Sequence, residues 1–219
     1  MEILKHSVIQ NMHKNGLIGI VRDNNEADAM VRTRAIMDGG VTILEISMST
    51  PGALHIIETI AKEIKEKNLD VYVGAGTVLD PETARQTILA GASFILAPNF
   101  NLEVAKMCNR YSICYMPGVM TFNEIVTAMD AGCDIVKVFP ASALGIGFIK
   151  AVMGPLPQAR CIPVGGVNID NIEAWFNDGA YAVSLGTALT NPTKGTCDYD
   201  EIKANAEAIV AKVKSCKRK

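Results

Sequence analysis

The chain has 219 residues, 49% of them hydrophobic and 20% charged, with 21 Lys and Arg against 23 Asp and Glu for a net charge of -2. That is the composition of a globular protein able to bury a large core, and the near-neutral balance argues against a nucleic-acid surface. No apolar stretch approaches membrane-spanning length, and Met1-Glu2-Ile3-Leu4-Lys5-His6 lacks the layout of a signal peptide, so the expected setting is cytoplasmic with no membrane partner.

Taken in order, Glu2–Asn15 reads as a helix and Ile18-Gly19-Ile20-Val21 as the first strand. A helix over Glu26–Met37 is closed by Asp38-Gly39-Gly40, because glycine just past a helix end can turn the chain through the left-handed region. Val41–Ile46 is the second strand. Thr50-Pro51 then reads as an N-cap with proline at the first helical position, opening a helix whose Leu54, Ile57, Ala61 and Ile64 share one stripe. Val71-Tyr72-Val73 is a strand, and Asp80-Pro81 repeats the start signal for a helix over Glu82–Ala90. Phe94–Leu96, a helix over Leu102–Arg110 and Ile113-Cys114-Tyr115 follow. Thr121-Phe122-Asn123-Glu124 has capping-box spacing ahead of a helix over Glu124–Ala131. The strand Ile135–Phe139 lies between Gly132 and Pro140. Cys161–Val164, a helix over Ile169–Asn177, the strand Ala182–Leu185 and a helix over Tyr199–Lys214 complete the series. The basic ending Lys212, Lys214, Lys217, Arg218, Lys219 reads as a solvated helix terminus.

Strand and helix thus alternate about eight times, and the strands are continuously apolar, as parallel strands covered on their outer face are. The expectation is one (β/α)8 TIM barrel domain over residues 1–219 with an extra N-terminal helix. The alternative is a doubly wound open sheet, weakened because Val21-Arg22-Asp23-Asn24 stands where a glycine-rich dinucleotide loop would follow the first strand. The six cysteines contain no CxxC pair and no nearby histidine at ligand spacing, which favours reduced thiols. His6, His13 and His55 fall in helical segments, so neither a metal site nor a Ser-His-Asp triad is expected.

In such a barrel, function gathers where strands end. There stand Arg22, Glu45, Gly74-Ala75-Gly76-Thr77, Pro98-Asn99, Pro117-Gly118, Lys137, Phe139-Pro140, Gly165-Gly166 and Gly186-Thr187. Lys137 sits inside an apolar strand. Taken out of water, an ammonium group is penalised relative to the amine, and the amine is the nucleophile that Schiff-base chemistry on a ketone requires. An edge-strand lysine, or one paired with a buried carboxylate, would explain the same residue without chemistry. Glu45 is the second unusual burial: desolvation should raise its pKa and a neighbouring ammonium should lower it, which suits proton transfer or a plain Glu45–Lys137 ion pair. The planar fork of Arg22 suits a carboxylate or phosphate. The glycines after the last two strands suit an anion cradle of backbone N–H groups.

Together, Glu45-Ile46-Ser47, Gly74-Ala75-Gly76-Thr77-Val78-Leu79, Ala97-Pro98-Asn99, Pro117-Gly118, Lys137-Val138-Phe139-Pro140-Ala141 and Pro163-Val164-Gly165-Gly166-Val167 resemble the KDPG/KHG aldolases, from about Gly16 to Thr190. These are class I 2-keto-3-deoxy-6-phosphogluconate and 4-hydroxy-2-oxoglutarate aldolases. The resemblance implies a metal-free, cofactor-free, homotrimeric barrel acting on a small keto acid and phosphate. It matches Lys137 to the Schiff-base lysine and Glu45 to the acid/base carboxylate. Arg22 and Thr77 then match the keto-acid end, and Gly165, Gly166, Gly186 and Thr187 the phosphate cradle, with Phe139 and Pro98 lining the pocket. Ser49 stands where many phosphogluconate-specific members carry arginine, an absence shared by relatives acting on the phosphogalactonate epimer. Two other readings are another phosphate-binding barrel enzyme using Lys137 only as a charge, and a non-catalytic sugar-acid-binding barrel.

Overall fold

A computed structural model describes residues 3–193 and 195–217. Met1 and Glu2 of the opening segment and Arg218 and Lys219 of the basic ending lie outside the described residues. The strands are β1 (Leu17–Val21), β2 (Ile43–Ser47), β3 (Tyr72–Gly76), β4 (Phe94–Leu96), β5 (Cys114–Met116), β6 (Gly118–Val119), β7 (Val136–Val138), β8 (Cys161–Pro163) and β9 (Val183–Leu185). Every pairing among them is parallel. One sheet runs β5-β4-β3-β2-β1-β9 and a second runs β6-β7-β8.

The two sheets meet along both edges. β5 and β6 flank Pro117, whose carbonyl accepts from Lys137 N at 2.8 Å. On the other side, Val164 bridges Ser184 and Tyr181 N donates to Cys161 O at 2.9 Å. The strands therefore follow chain order around an α/β barrel. The open-sheet alternative fails because it needs the strand order to reverse at a switch point.

A strand has a side-chain period of two, and this sorts the apolar residues into two clusters. Ile18, Ile43, Phe94, Leu96, Cys114, Met116, Ile135, Ile162, Val164 and Ala182 form an inner cluster. The alternate residues Leu44, Ile46, Val136, Val138 and Val183 join Ile36, Ile56 and Ile60 in the outer cluster, under the helices. The helix Leu4–Asn15 inserts Val8 and Met12, one turn apart, into the inner cluster. Its Asn11 accepts from Thr42 Oγ1 at 2.7 Å and donates to Asp70 O at 3.3 Å, which fixes it beneath the starts of β2 and β3.

Local helix signals hold where their hydrogen bonds are local. Asp80 caps Pro81–Leu89 by accepting from Thr83 N at 2.6 Å, and Thr121 and Glu124 form a complete capping box on Phe122–Asp130. The Thr50-Pro51 reading is corrected. Gly52 adopts φ +73° beside the Glu26 carboxylate, so the helix begins only at Ala53, while Thr50 Oγ1 accepts from Asp23 N at 3.2 Å. Its buried stripe shifts accordingly to Ala53, Ile56, Ile57 and Ile60, and Leu54 is only half-buried. The helices Ala141–Leu144, Gly147–Met153 and Thr187–Thr190 and the short strand β6 were not legible, being too short for a periodic signal.

All six cysteines are unpaired, and burial pushes the thiols of Cys108, Cys114, Cys133 and Cys161 up to about 12. A thiolate is the reactive form. Ellman's reagent is therefore expected to titrate no thiol beyond Cys197 and Cys216 in native protein, and all six after denaturation; rapid labelling of a third thiol under native conditions would contradict this packing.

Candidate active site

β7 carries Val136 and Val138 to the helix side, so Lys137 points into the barrel between the inward Ile135 and Phe139. On β2 the same alternation turns Glu45 inward between Ile43 and Ser47. Lys137 is 5% exposed and Glu45 1%, with Nζ and Oε1 3.9 Å apart. The Lys137 ammonium position also lies 5.0 Å from the centre of the Phe139 ring.

The neighbouring strand makes room for the carboxylate. A Cβ at Gly76 would fall 1.8 Å from Glu45 Oε1, and one at Gly74 would fall 2.5 Å from the Phe94 ring. Two glycines of the Gly-Ala-Gly-Thr run are thus required by inward neighbours. Glu45 Oε2 is buried without a hydrogen-bond partner. Burial raises the Glu45 pKa above its ordinary range, and the opposing pull of Lys137 and then Arg22 only reduces that rise.

Arg22, just past β1, is held by hydroxyls. Its Nε donates to Ser47 Oγ and its Nη2 to Thr77 Oγ1, both at 3.2 Å. Ser47 Oγ also lies 2.9 Å from Ser49 Oγ and 3.0 Å from Thr77 Oγ1. A cavity of about 410 Å³ opens over these groups, lined by Arg22, Glu45, Lys137, Phe139, Gly165, Gly166, Gly186 and Thr187. Gly165 and Gly166 take φ +93° and +80°, the left-handed region that glycine tolerates.

Eight of the ten residues singled out from sequence therefore share one cavity. Thr77 does not line it but orients Arg22 from behind. Pro98 is a correction: it is not among the lining residues, and its carbonyl instead packs where a Cβ of Gly118 would fall, at 2.0 Å. Sequence reasoning missed Ile20, Val164, Asn168 and Ser184 as lining residues, and Ser47 as the centre of the hydroxyl cluster. It also missed Arg32, a buried arginine bound to Asp23 at 2.6 Å that donates to the carbonyls of Thr190 and Thr196 and ties the segment after β9 to the exit of β1. Inward strand positions at period two would have flagged Ser184 and Val164; nothing local pairs Asp23 with Arg32.

Such a site can put a buried amine, a buried carboxyl and a guanidinium around a substrate whose far end meets a glycine-lined rim. Among the described residues, no group of three or more His, Cys, Asp or Glu side chains could hold a metal ion.

Comparison with known proteins gives three kinds of match. The family model described as KDPG and KHG aldolase matches residues 8–205. The chain is 34% identical over 174 residues to 2-dehydro-3-deoxy-6-phosphogalactonate aldolase of Escherichia coli (strain K12), covering 79% of this chain and 83% of that one. A solved structure described as native KDPGal superposes with a TM-score of 0.84 at 29% identity, over 93% of this chain and 96% of the other. KDPG aldolase from Legionella pneumophila, solved with pyruvate captured as a covalent carbinolamine, superposes with a TM-score of 0.80 at 25% identity, over 93% and 97%.

Proposed function

The chain belongs to the KDPG and KHG aldolase family, and from that premise we propose that it cleaves 2-keto-3-deoxy-6-phospho sugar acids, and 4-hydroxy-2-oxoglutarate, by class I chemistry on Lys137. The observation that carries the site assignment is the buried amine of Lys137 facing the buried Glu45 carboxyl at 3.9 Å on the floor of the cavity. Its frame is an eight-stave (β/α)8 barrel, β5 and β6 counting as one stave across Pro117.

The neutral Lys137 amine adds to the C2 ketone, and loss of water leaves an iminium. The C3–C4 bonding pair moves into that cation and forms an enamine, while Glu45 takes the C4 hydroxyl proton, directly or through one water. The aldehyde departs. Protonation of the enamine at C3 and hydrolysis of the resulting iminium release pyruvate and restore the amine. The cation formed on the substrate stabilises the developing carbanion inside a site shielded from bulk water. Arg22, with its Nε and Nη2 tied to hydroxyls, is aimed to hold the C1 carboxylate, and Gly165, Gly166, Gly186 and Thr187 surround the phosphate. Incubation with pyruvate and borohydride tests the reading: a reduced adduct on Lys137 is expected, and its absence on intact protein would falsify it.

The assembly is a cytoplasmic homotrimer. Six unpaired cysteines fit a reducing compartment, and among the described residues no helix is long and apolar enough to cross a membrane. Met120, in the loop after β6, and Phe122, the first residue of the helix that follows, are 43% and 39% exposed, with Leu102 and Leu79 exposed nearby in the barrel order. Large apolar side chains left on one rim are what a subunit contact would cover. Sedimentation should give about 70 kDa, three times the 23.5 kDa chain, and Phe122→Asp should shift it toward the monomer; a monomeric native protein would rule the trimer out.

A further inference from the structure

A phosphorylated six-carbon substrate of the class proposed above carries five polar features: the C1 carboxylate, the C2 ketone, the C4 and C5 hydroxyls and the phosphate. Arg22, Lys137, Glu45 and the glycine rim account for four. The C5 hydroxyl remains. One cavity-lining group is equally unassigned: Ser184, 1% exposed on β9, whose Oγ is buried without a hydrogen-bond partner. Buried hydroxyls are nearly always paired, so an unpaired one facing a cavity points to a ligand.

Register places Ser184 at the right height. Lys137 pairs with Ile162 on β8, and Val164, just past the end of that strand, bridges Ser184. Gly165 follows Val164, and Gly186 lies two residues beyond Ser184. The Val164–Ser184 row therefore lies between the amine and the glycine rim. Its other immediate neighbour across β1 is Ile18, so the strands beside it offer no competing polar side chain.

We propose that Ser184 Oγ is the hydrogen-bond partner of the substrate hydroxyl on C5, the carbon between the cleaved bond and the phosphate, and so a specificity-determining residue for the aldehyde half. This rests on the aldolase reading of the same site. The hydroxyl can both donate and accept, which suits an alcohol on the ligand.

The test runs the reaction as a condensation of pyruvate with two aldehydes of equal length, D-glyceraldehyde 3-phosphate and 3-oxopropyl phosphate, which lacks only the hydroxyl that becomes the C5 hydroxyl. Wild type should prefer the hydroxylated aldehyde. Ser184→Ala should cut the ratio of their kcat/KM values by about 10- to 100-fold, because a polar partner is lost in a buried site. Borohydride trapping of pyruvate on the same samples reports whether the Lys137 amine is intact, since pyruvate carries no such hydroxyl. An unchanged ratio, or an equal loss for both aldehydes, with trapping retained would overturn the role of Ser184 alone. Failure of wild type to trap pyruvate would overturn the aldolase reading, and the Ser184 assignment with it.

Discussion

Lys137→Ala is expected to abolish the borohydride-trapped pyruvate adduct and to lower turnover by about 10⁴-fold or more, because no other described residue lining the cavity carries the primary amine that an iminium needs. Among the described residues, the only other cationic side chain lining that cavity is Arg22, which is engaged with Ser47 and Thr77 and is not a nucleophile at neutral pH. Lys137→Arg sharpens the experiment. It keeps a positive charge near Glu45 and Phe139 but removes the amine, so it should be equally dead. A barrel enzyme using Lys137 only as a charge would instead retain measurable turnover in the arginine variant. Mass spectrometry of the reduced, digested protein locates the adduct; an adduct elsewhere in the chain would remove Lys137 from its role. Circular dichroism on each variant separates chemistry from folding, since deleting one partner of a buried pair can cost several kcal/mol.

Glu45→Gln should behave differently. The amine remains, so pyruvate is still trapped, while proton transfer at the C4 hydroxyl is lost and turnover falls by about 10²–10⁴-fold. Normal turnover in this variant would dismiss Glu45 as the proton acceptor. The same substitution has a signature in stability. Burial raises the Glu45 pKa above its ordinary value of 4.5, so the folded state holds its proton more tightly than the unfolded chain does. That preference contributes stability fully below the unfolded pKa and is lost as pH rises through the folded pKa. Urea unfolding followed from pH 5 to pH 8 should thus show Glu45→Gln gaining on the wild type as pH increases, and a constant difference across that range would contradict the raised pKa. In activity, the acidic limb set by this carboxyl should lie above the ordinary glutamate range and vanish in the glutamine variant.

Local patterns in the chain were readable because the forces behind them are local. Asp80 bonds Thr83 and Thr121 bonds Glu124, each within a single helical turn, so spacing alone announces the cap. The Thr50-Pro51 cap failed for the converse reason: the Thr50 hydroxyl is taken by Asp23, on another strand's exit, and Gly52 leaves the helical region. The lysine in Ile135-Val136-Lys137-Val138-Phe139 was conspicuous because a charge in an apolar strand is costly wherever that strand lies. The family resemblance implied Pro98 as a pocket residue, yet its carbonyl lies at the close approach to Gly118.

The amino-acid order by itself determined the alternation of strands and helices, the inward phase of Lys137 and Glu45, and the glycines at the strand exits, since periodicity, capping and charge burial act over a few residues. Only the tertiary structure decided that Lys137 and Glu45, 3.9 Å apart from opposite parts of the chain, share one floor, that Gly76 is hollowed out for Glu45, and that Ser184 is left unpaired above them. It also decided that Arg32 would reach Thr190, 158 residues away. Those relations exist only once the ring of strands closes, because closure brings distant residues to one radius and excludes the water that would otherwise separate and screen them.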